Sequence, residues 1–355
     1  MSEGVRTVYH FGPSVDDVGG MASVIATLVD LQIGADVVRA VPTWRPGSHV
    51  ASGVLAARAA SLVLRLPRSV AVHVHLSHKG SFVRKSVILA AAKSRGLPRV
   101  VTIHGHQFAT FSVRWPRCVA EVLGMATAIT VLSESDLGII RRLVPKVHAE
   151  LLPNPTPLDL RAGPARGTAE MVLFAGAVGT RKGADVLHRA WPTVSAARPS
   201  ATCVIVGPAT ELNLPNLQRL EVRGPVSPGR VKELIRQARV VALPSRGEVL
   251  PMIVTEAMAA GRPFVSTPVG GITALAAGGV LVPVDDDRAL AQALIALLAD
   301  PARAQALGEA GQALCKRWMA PDVVGARLRR LYRTPSLESE HISPWPPSTS
   351  GVLRD

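Results

Sequence analysis

Short runs such as Val100-Val101-Thr102-Ile103 and Ala128-Ile129-Thr130-Val131-Leu132 are apolar or β-branched at successive positions, without the alternation of a half-exposed strand. Strands of that kind are buried on both faces, which calls for a parallel sheet with helices packed above and below. The same texture recurs over Val5–Phe11, Asp36–Val41, Val70–Leu76, Arg99–His104, Thr127–Leu132 and Ala149–Leu152. Helical periodicity fills the gaps at Gly20–Asp30, Ser52–Leu66, Ser81–Arg95 and Ser133–Leu143. A break at Pro153-Asn154-Pro155-Thr156-Pro157 interrupts the pattern, which then restarts. Strands are expected at Met171–Ala175, Ala201–Val206, Leu220–Arg223, Val240–Leu243, Phe264–Thr267 and Val280–Val282. Helices are expected at Ala184–Ala197, Pro228–Gln237, Ile253–Ala260, Arg288–Leu298, Ala302–Trp318 and Pro321–Tyr332.

The spacing thus predicts an α/β chain of two doubly wound Rossmann-like domains, residues 1–157 and 158–319, whose strand ends face an interdomain cleft. A helix over 320–334 is expected to pack back toward the first domain, and the Ser/Pro-rich stretch 335–355 to be a disordered tail. With 4 % aromatic residues in 355, the cores must be aliphatic. Cys118, Cys203 and Cys315 are too scattered for a disulfide framework or a zinc site, and fit a reduced compartment. The opening residues lack a charged-then-apolar leader. The most apolar window, Val54–Leu76, holds Arg58, Arg65 and Arg68, each costing about 2.5–3.5 kcal/mol near a bilayer centre, so it is not read as a membrane span.

Net charge is +14, and its placement is informative. Thirteen Lys or Arg and no acidic residue lie between Val37 and Ala120. Such a field suits an anionic partner. The basic stretch lacks interleaved aromatics, which argues against nucleic acid. In the helix predicted at Ser52–Leu66, Leu55, Leu62 and Leu66 recur at helical spacing while Arg58 and Arg65 share another face. That pattern suits an anionic lipid surface, which attracts each nearby cation by roughly 1 kcal/mol.

The densest chemistry lies in Pro244-Ser245-Arg246-Gly247-Glu248-Val249-Leu250-Pro251-Met252-Ile253-Val254-Thr255-Glu256-Ala257-Met258-Ala259-Ala260-Gly261. One glutamate sits in a loop after a strand, and the second comes about one turn into a helix. A carboxylate accepting from two vicinal hydroxyls grips a ribose, and helix-start amides approach a diphosphate. This stretch, with the following Pro263-Phe264-Val265-Ser266-Thr267-Pro268-Val269-Gly270-Gly271, resembles the E-x7-E signature of glycosyltransferase family 4. Those are retaining, GT-B-fold, nucleotide-sugar-dependent enzymes, and the likeness is to the bacterial exopolysaccharide and cell-envelope type. The resemblance covers roughly residues 5–333. It implies an acceptor-side first domain and a nucleotide-sugar-binding second one.

By that resemblance, Glu248 stands beside the donor sugar, Glu256 holds the ribose hydroxyls, and Leu250, Pro251, Met252 and Ile253 line the donor between them. Val249 departs from the Gly found in many members. Gly19-Gly20 resembles the glycine loop beside the donor diphosphate. Phe174–Gly183 resembles the loop whose Arg and Lys neutralise the leaving nucleoside diphosphate: Lys182 matches the lysine, Ala177 replaces the arginine, and Arg181 is the candidate substitute. His104 resembles the first-domain histidine contacting the transferred sugar, with His106 and His75 nearby. Ser133 and Asn154 match family positions and equally read as helix cap and turn residue.

Ser77, Lys79, Ser81, Arg84 and Lys85 cluster where a strand passes into a helix, the composition of a phosphate cradle, and are expected to face a lipid-linked acceptor's pyrophosphate. Asp285-Asp286-Asp287 and Asp16-Asp17 read as cap and loop residues, so no metal and no bound cofactor are expected; the nucleotide sugar is a co-substrate. The expectation is a metal-independent hexosyltransferase at the cytoplasmic membrane face, acting on a lipid-linked or envelope-glycan acceptor. The competing readings are a transferase for a soluble small molecule and a non-catalytic GT-B scaffold.

Overall fold

The computed structural model describes residues 7–17, 19–30, 37–45, 47–77, 79–160 and 162–333, with Arg166 by its backbone alone. The tail at 335–355, Asp36 and the start of the Val5–Phe11 strand lie outside the described residues. The described chain divides into two compact units. One holds the residues up to Pro155 and those from Pro321; the other is Thr156–Ala320.

The first unit is built on six parallel strands, β1 (Thr7–Gly12), β2 (Val37–Pro42), β3 (Ala71–Leu76), β4 (Arg99–Ile103), β5 (Ala128–Val131) and β6 (His148–Leu151), in the order β2-β1-β3-β4-β5-β6. Every residue of β3 and β5 is buried, as their unbroken apolar texture requires. Helices α1 (Gly20–Asp30), α2 (His49–Arg65), α3 (Gly80–Ser94), α4 (Phe108–Arg114), α5 (Pro116–Leu123) and α6 (Glu134–Leu143) connect them. Ser48 caps α2, accepting from the Ala51 amide at 3.1 Å, and so starts that helix before the predicted Ser52. The buried side of α2 is the small-residue stripe Ser52, Ala56, Ala59 and Val63, while Leu55 and Leu62 are only half-buried.

The second unit repeats the plan with β7 (Met171–Ala175), β8 (Thr202–Val206), β9 (Leu220–Arg223), β10 (Val240–Leu243), β11 (Phe264–Ser266) and β12 (Gly279–Leu281), all parallel, in the order β12-β11-β10-β7-β8-β9. Its helices are α7 (Ala184–Ala197), α8 (Pro228–Gln237), α9 (Met252–Ala259), α10 (Asp287–Ala299) and α11 (Pro301–Trp318). Ser227, Asp286 and Asp300 cap α8, α10 and α11. The last helix, α12 (Pro321–Arg333), belongs to the first unit and packs on α1 and β4 through Val324, Leu328, Leu331 and Tyr332.

Each sheet reverses its strand order once, between β1 and β3 in the first unit and between β7 and β10 in the second. Loops leaving the carboxyl ends of such a pair diverge to opposite faces of the sheet and open a crevice, the usual ligand site of this architecture.

Candidate functional site

In the second unit, the two loops at the reversal carry the charged residues singled out from the sequence. Arg181 and Lys182 follow β7, and Glu248 follows β10. Lys182 Nζ pairs with Glu248 Oε1, and Arg181 lies 3.3 Å from the same oxygen while donating to the Gly247 carbonyl at 3.0 Å. Ser245 Oγ adds a third donor at 3.2 Å. Two cations thus converge on one carboxylate oxygen at the crevice. The other carboxylate oxygen, Oε2, takes no hydrogen bond among the described residues.

These loops are fastened together. The Arg246 amide donates to the Arg181 carbonyl at 2.8 Å, and the Arg246 guanidinium grips both oxygens of Asp185 at 2.8 and 2.9 Å. Burial alone would raise the Asp185 pKa, but hydrogen bonds from Arg246 and Arg189 hold it down at about 2. Two glycines make the approach possible. A Cβ on Gly183 (φ +74°) would stand 1.9 Å from the Pro244 carbonyl oxygen, and one on Gly270 (φ +58°) would stand 2.3 Å from that of Glu248. The Gly-Gly pair at 270–271 is therefore a seat for the Glu248–Val249 backbone, and the Gly271 amide donates to the Val249 carbonyl at 2.6 Å.

Glu256 lies in the second turn of α9. It is half-buried, and its carboxylate makes no hydrogen bond among the described residues. Burial raises its pKa, against the opposing pull of Lys232. A half-buried carboxylate without a hydrogen-bond partner can accept from hydroxyls that arrive with a ligand. Helix α9 has no side-chain cap, and while the Val254 amide donates to the Pro251 carbonyl at 3.2 Å, the Met252 and Ile253 amides are not spent in the helix. Leu250, Pro251 and Ile253 are buried and Met252 half-buried, so this stretch offers a ligand backbone more than side chains. Val249 is also buried.

The remaining predicted residues are in the first unit. Gly19 (φ +149°) opens α1, its carbonyl accepting from the Ser23 amide at 3.0 Å, and Gly20 is exposed beside it. His104, just past β4, is half-buried; its Nε2 lies 2.9 Å from His75 Nδ1, and His75 Nε2 lies 2.9 Å from His10 Nδ1. Burial, with help from the Lys85 charge, pushes the His104 pKa down to about 3.

The cluster expected to cradle phosphate is only partly outward. Lys79 is exposed, in a left-handed conformation (φ +51°) at the start of α3, with Ser77 and Arg84 half-buried nearby. Lys85 departs from the expectation. Its ammonium is buried and donates to the His75 carbonyl and, at 3.2 Å, to Ser81 Oγ, so neither it nor that lone pair of Ser81 faces a ligand. The cause is helical geometry: one residue past Arg84, Lys85 falls on the α3 face that covers β3. Burial lowers its pKa to about 7, with Arg84 adding to the shift. Ser133 caps α6, accepting from the Asp136 amide at 3.2 Å. Asn154 is buried beside a small cavity of about 20 Å³ that also touches His73, His75, Thr102 and Thr130.

Residues 169–300 match the family described as glycosyl transferases group 1. Among curated relatives, a D-inositol 3-phosphate glycosyltransferase of Xylanimonas cellulosilytica is 30 % identical over 231 residues, 59 % of this chain and 55 % of that protein. A GDP-mannose-dependent monoacylated alpha-(1-6)-phosphatidylinositol monomannoside mannosyltransferase of Corynebacterium glutamicum is 27 % identical over 294 residues, 72 % of this chain and 75 % of that one. The chain spans about half the length of the first of these relatives. Among solved structures, Anabaena Alr3699/HepE in complex with UDP and glucose has a TM-score of 0.69 at 14 % identity, covering 91 % of this chain and 98 % of that one.

Residues 169–300 match a group 1 glycosyltransferase domain, and the chain has the GT-B fold.

Within this group 1 domain, sequence reasoning found the charged residues but missed what holds them, Arg246 and Asp185. A signal existed: Arg246 lies inside the motif, and Asp185 follows the Gly183 turn at the start of a helix. In the first unit it missed His10, His73 and Tyr332. There the available signal was polar residues at period two within apolar runs, His73/His75 on β3 and Thr102/His104 at the end of β4 and just past it.

Proposed function

We propose that this protein transfers a sugar, with retention of anomeric configuration, from a nucleoside diphosphate sugar to a phosphate-bearing, lipid-linked acceptor at an anionic membrane face. The observation that carries the reading is the gathering of Lys182 and Arg181 on one oxygen of Glu248, beside an uncapped helix start and the unpartnered carboxylate of Glu256.

The chemistry follows from that set. When the bond from the anomeric carbon to the diphosphate breaks, the electron pair leaves with the diphosphate. Lys182, Arg181 and the α9 amides lie ready to stabilise that charge, and preorganised donors of this kind commonly supply the largest catalytic term. The departing oxygen can take the acceptor hydroxyl's proton, so no separate general base is required. Glu256 accepts from the ribose hydroxyls. Arg181 supplies the second cation that Ala177 does not, and the two cations give the diphosphate its counter-charge without a divalent ion.

For the acceptor side, two features support a membrane surface. The stretch 37–120 is basic without a single acid. Its exterior also exposes apolar residues at helical spacing, Val50 and Val54 on α2 and Val83 and Val87 on α3, with Trp44 and Trp115 exposed near Arg45 and Arg114. Tryptophan beside cations suits the interfacial layer of a bilayer. The corynebacterial relative's name carries a lipid acceptor, and that of the Xylanimonas protein a free inositol phosphate. The latter keeps a soluble phosphate acceptor as the second reading.

A panel of UDP- and GDP-sugars, incubated with phosphatidylinositol vesicles or with free inositol phosphate, tests the proposal by released nucleoside diphosphate and labelled product. Product on the lipid is expected. Product on the free phosphate alone selects the second reading, and no release from any donor leaves a scaffold.

A further inference from the structure

The interior of the first unit holds a row of polar side chains that the donor chemistry does not use. His10 on β1 is in register with His73 on β3, His75 on β3 with Thr102 on β4, and Thr102 with Thr130 on β5. All five are buried, as is Tyr332, which reaches in from α12. Their polar atoms form one continuous sequence of contacts. Thr130 Oγ1 donates to the Val101 carbonyl at 3.4 Å and lies 2.6 Å from Thr102 Oγ1. Thr102 Oγ1 is 2.7 Å from His73 Nε2, and His73 Nδ1 is 2.7 Å from the Tyr332 hydroxyl. That hydroxyl is 3.4 Å from His10 Nε2, and the row continues through His10 Nδ1–His75 Nε2 and His75 Nδ1–His104 Nε2, each at 2.9 Å.

A neutral imidazole has one N–H and one bare nitrogen, and a hydroxyl has one hydrogen. Proton positions along such a row are therefore coupled: once one link is oriented, all are. Two polarities exist. If Thr130 gives its proton to the Val101 carbonyl, Thr102 donates to Thr130, and His73 donates to Thr102 through Nε2. Tyr332 then donates to His73 Nδ1, His10 Nε2 to Tyr332, His75 Nε2 to His10, and His104 Nε2 to His75. Any further contact of Tyr332 is then one in which it accepts, because its only proton is committed. The opposite polarity makes every internal link but leaves the Val101 bond unmade, so it has one hydrogen bond fewer in a buried place where each counts.

We infer that Thr130, Thr102, His73, Tyr332, His10 and His75 act as positioning residues that fix His104 as its Nε2–H tautomer, presenting a bare Nδ1 that accepts a hydrogen bond from a ligand hydroxyl. Burial keeps the row in the neutral state this ordering needs: His10 is pushed down to about 3, and His73 and His75 well below their usual range. The buried ammonium of Lys85, on the His75 carbonyl, opposes protonation from the other side. His10, His73 and His75 also stand close enough to suggest a metal site, with ligand atoms within 4.8 Å of one another. Every ring nitrogen of the three already has a hydrogen-bond partner, however, and such a metal would break several links of the row.

The inference rests on the reading of His104 as a sugar-contacting residue, but its test does not need catalysis. Protein labelled with ¹⁵N-histidine, observed by long-range proton–nitrogen correlation near neutral pH, should show His104 with a protonated Nε2 and a bare Nδ1. Thr130→Val removes the anchor and Tyr332→Phe cuts the row; each should turn His104 into a mixture of tautomers, whereas Thr130→Ser should keep the single form. If Tyr332→Phe does not fold, the two Thr130 variants decide alone. With donor sugar turning over, Thr130→Val should lose about three- to tenfold in kcat/KM, the worth of one hydrogen bond, and Thr130→Ser should restore it. A protonated Nδ1 in the wild type, an unchanged tautomer in Thr130→Val, or stoichiometric zinc uptake that erases the histidine N–H signals would each overturn the inference. Absence of transfer with an intact single tautomer would instead count against the proposed function and leave the ordered row standing.

Discussion

The two units place opposite chemistry at equivalent points of the same plan. At the β7/β10 reversal the polar residues are ionic, partly exposed and close in sequence, with Arg181, Lys182 and Glu248 supplied by two loops. Around the β1/β3 reversal they are a neutral, buried row drawn from β1, β3, β4, β5 and α12, with the Lys85 ammonium set against it. A crevice that must stabilise a departing diphosphate needs fixed charge. One that must orient an uncharged sugar needs donors and acceptors with defined proton positions, and burial supplies that by suppressing ionisation. On the proposed function, the fold is used twice, once as an electrostatic device and once as a hydrogen-bonding one.

The sharpest way to break this contrast is to remove the charge. Lys182→Ala should lower kcat by about two to three orders of magnitude, the scale of losing one preorganised transition-state donor, with little change in the folded state. Nucleoside diphosphate release measures the first and thermal melting the second. A loss below tenfold would move the leaving-group role elsewhere.

Acid should separate the units next. His10, His73, His75 and His104 all have folded pKa values lowered by burial, and each regains a value near 6.5 when unfolded. Between about pH 6.5 and pH 3 the unfolded chain therefore binds more protons, and stability falls as pH falls, by up to about 1.4 kcal/mol per pH unit for each histidine. Lys85, lowered from 10.5 to about 7, has the same sign in its own window, so the first unit gains stability as pH rises from about 7 toward 10.5. In the second unit, Asp185 is held near 2, and its contribution is lost only as pH falls below its unfolded value of about 4. Hydrogen exchange followed from pH 7 to pH 4 should show the strands of the first unit opening before those of the second. Simultaneous opening would erase the distinction.

Smaller effects should sharpen it. Arg181→Ala should weaken donor binding about three- to tenfold, with a loss that shrinks in high salt because this arginine is two-fifths exposed. Trp44→Ala and Trp115→Ala should each reduce sedimentation with anionic vesicles by a few-fold and leave donor binding unchanged. Equal binding to neutral vesicles would remove the lipid surface from the account.

Much of this was legible in the residues. Strands such as Met171–Ala175 and Val240–Leu243, and helices such as Ala184–Ala197, coincide with their apolar texture and periodicity because nothing in the tertiary fold competes with those signals. Helices α4 and α5 were not expected: at seven and eight residues, separated only by Trp115 before Pro116, they are too short to show a period. The charged residues at the β7/β10 reversal could be read because each of the two loops is short and contiguous in sequence. The histidine row could not, since its order depends on which strands are neighbours in the β1/β3/β4/β5 register and on Tyr332 arriving from the far end of the chain. Lys85 misled for a related reason, as composition gives the charge of a helix start but not which side of it is covered.

The central claim, that a carboxylate left without a partner in α9 waits for the hydroxyls of a nucleotide, is tested most directly by calorimetric titration of UDP and GDP into the wild type and Glu256→Ala. The account predicts that one of the two nucleotides binds the wild type and that the variant loses about ten- to a hundredfold in affinity, the range of a charge-assisted hydrogen bond. Equal affinity for the two proteins would contradict it.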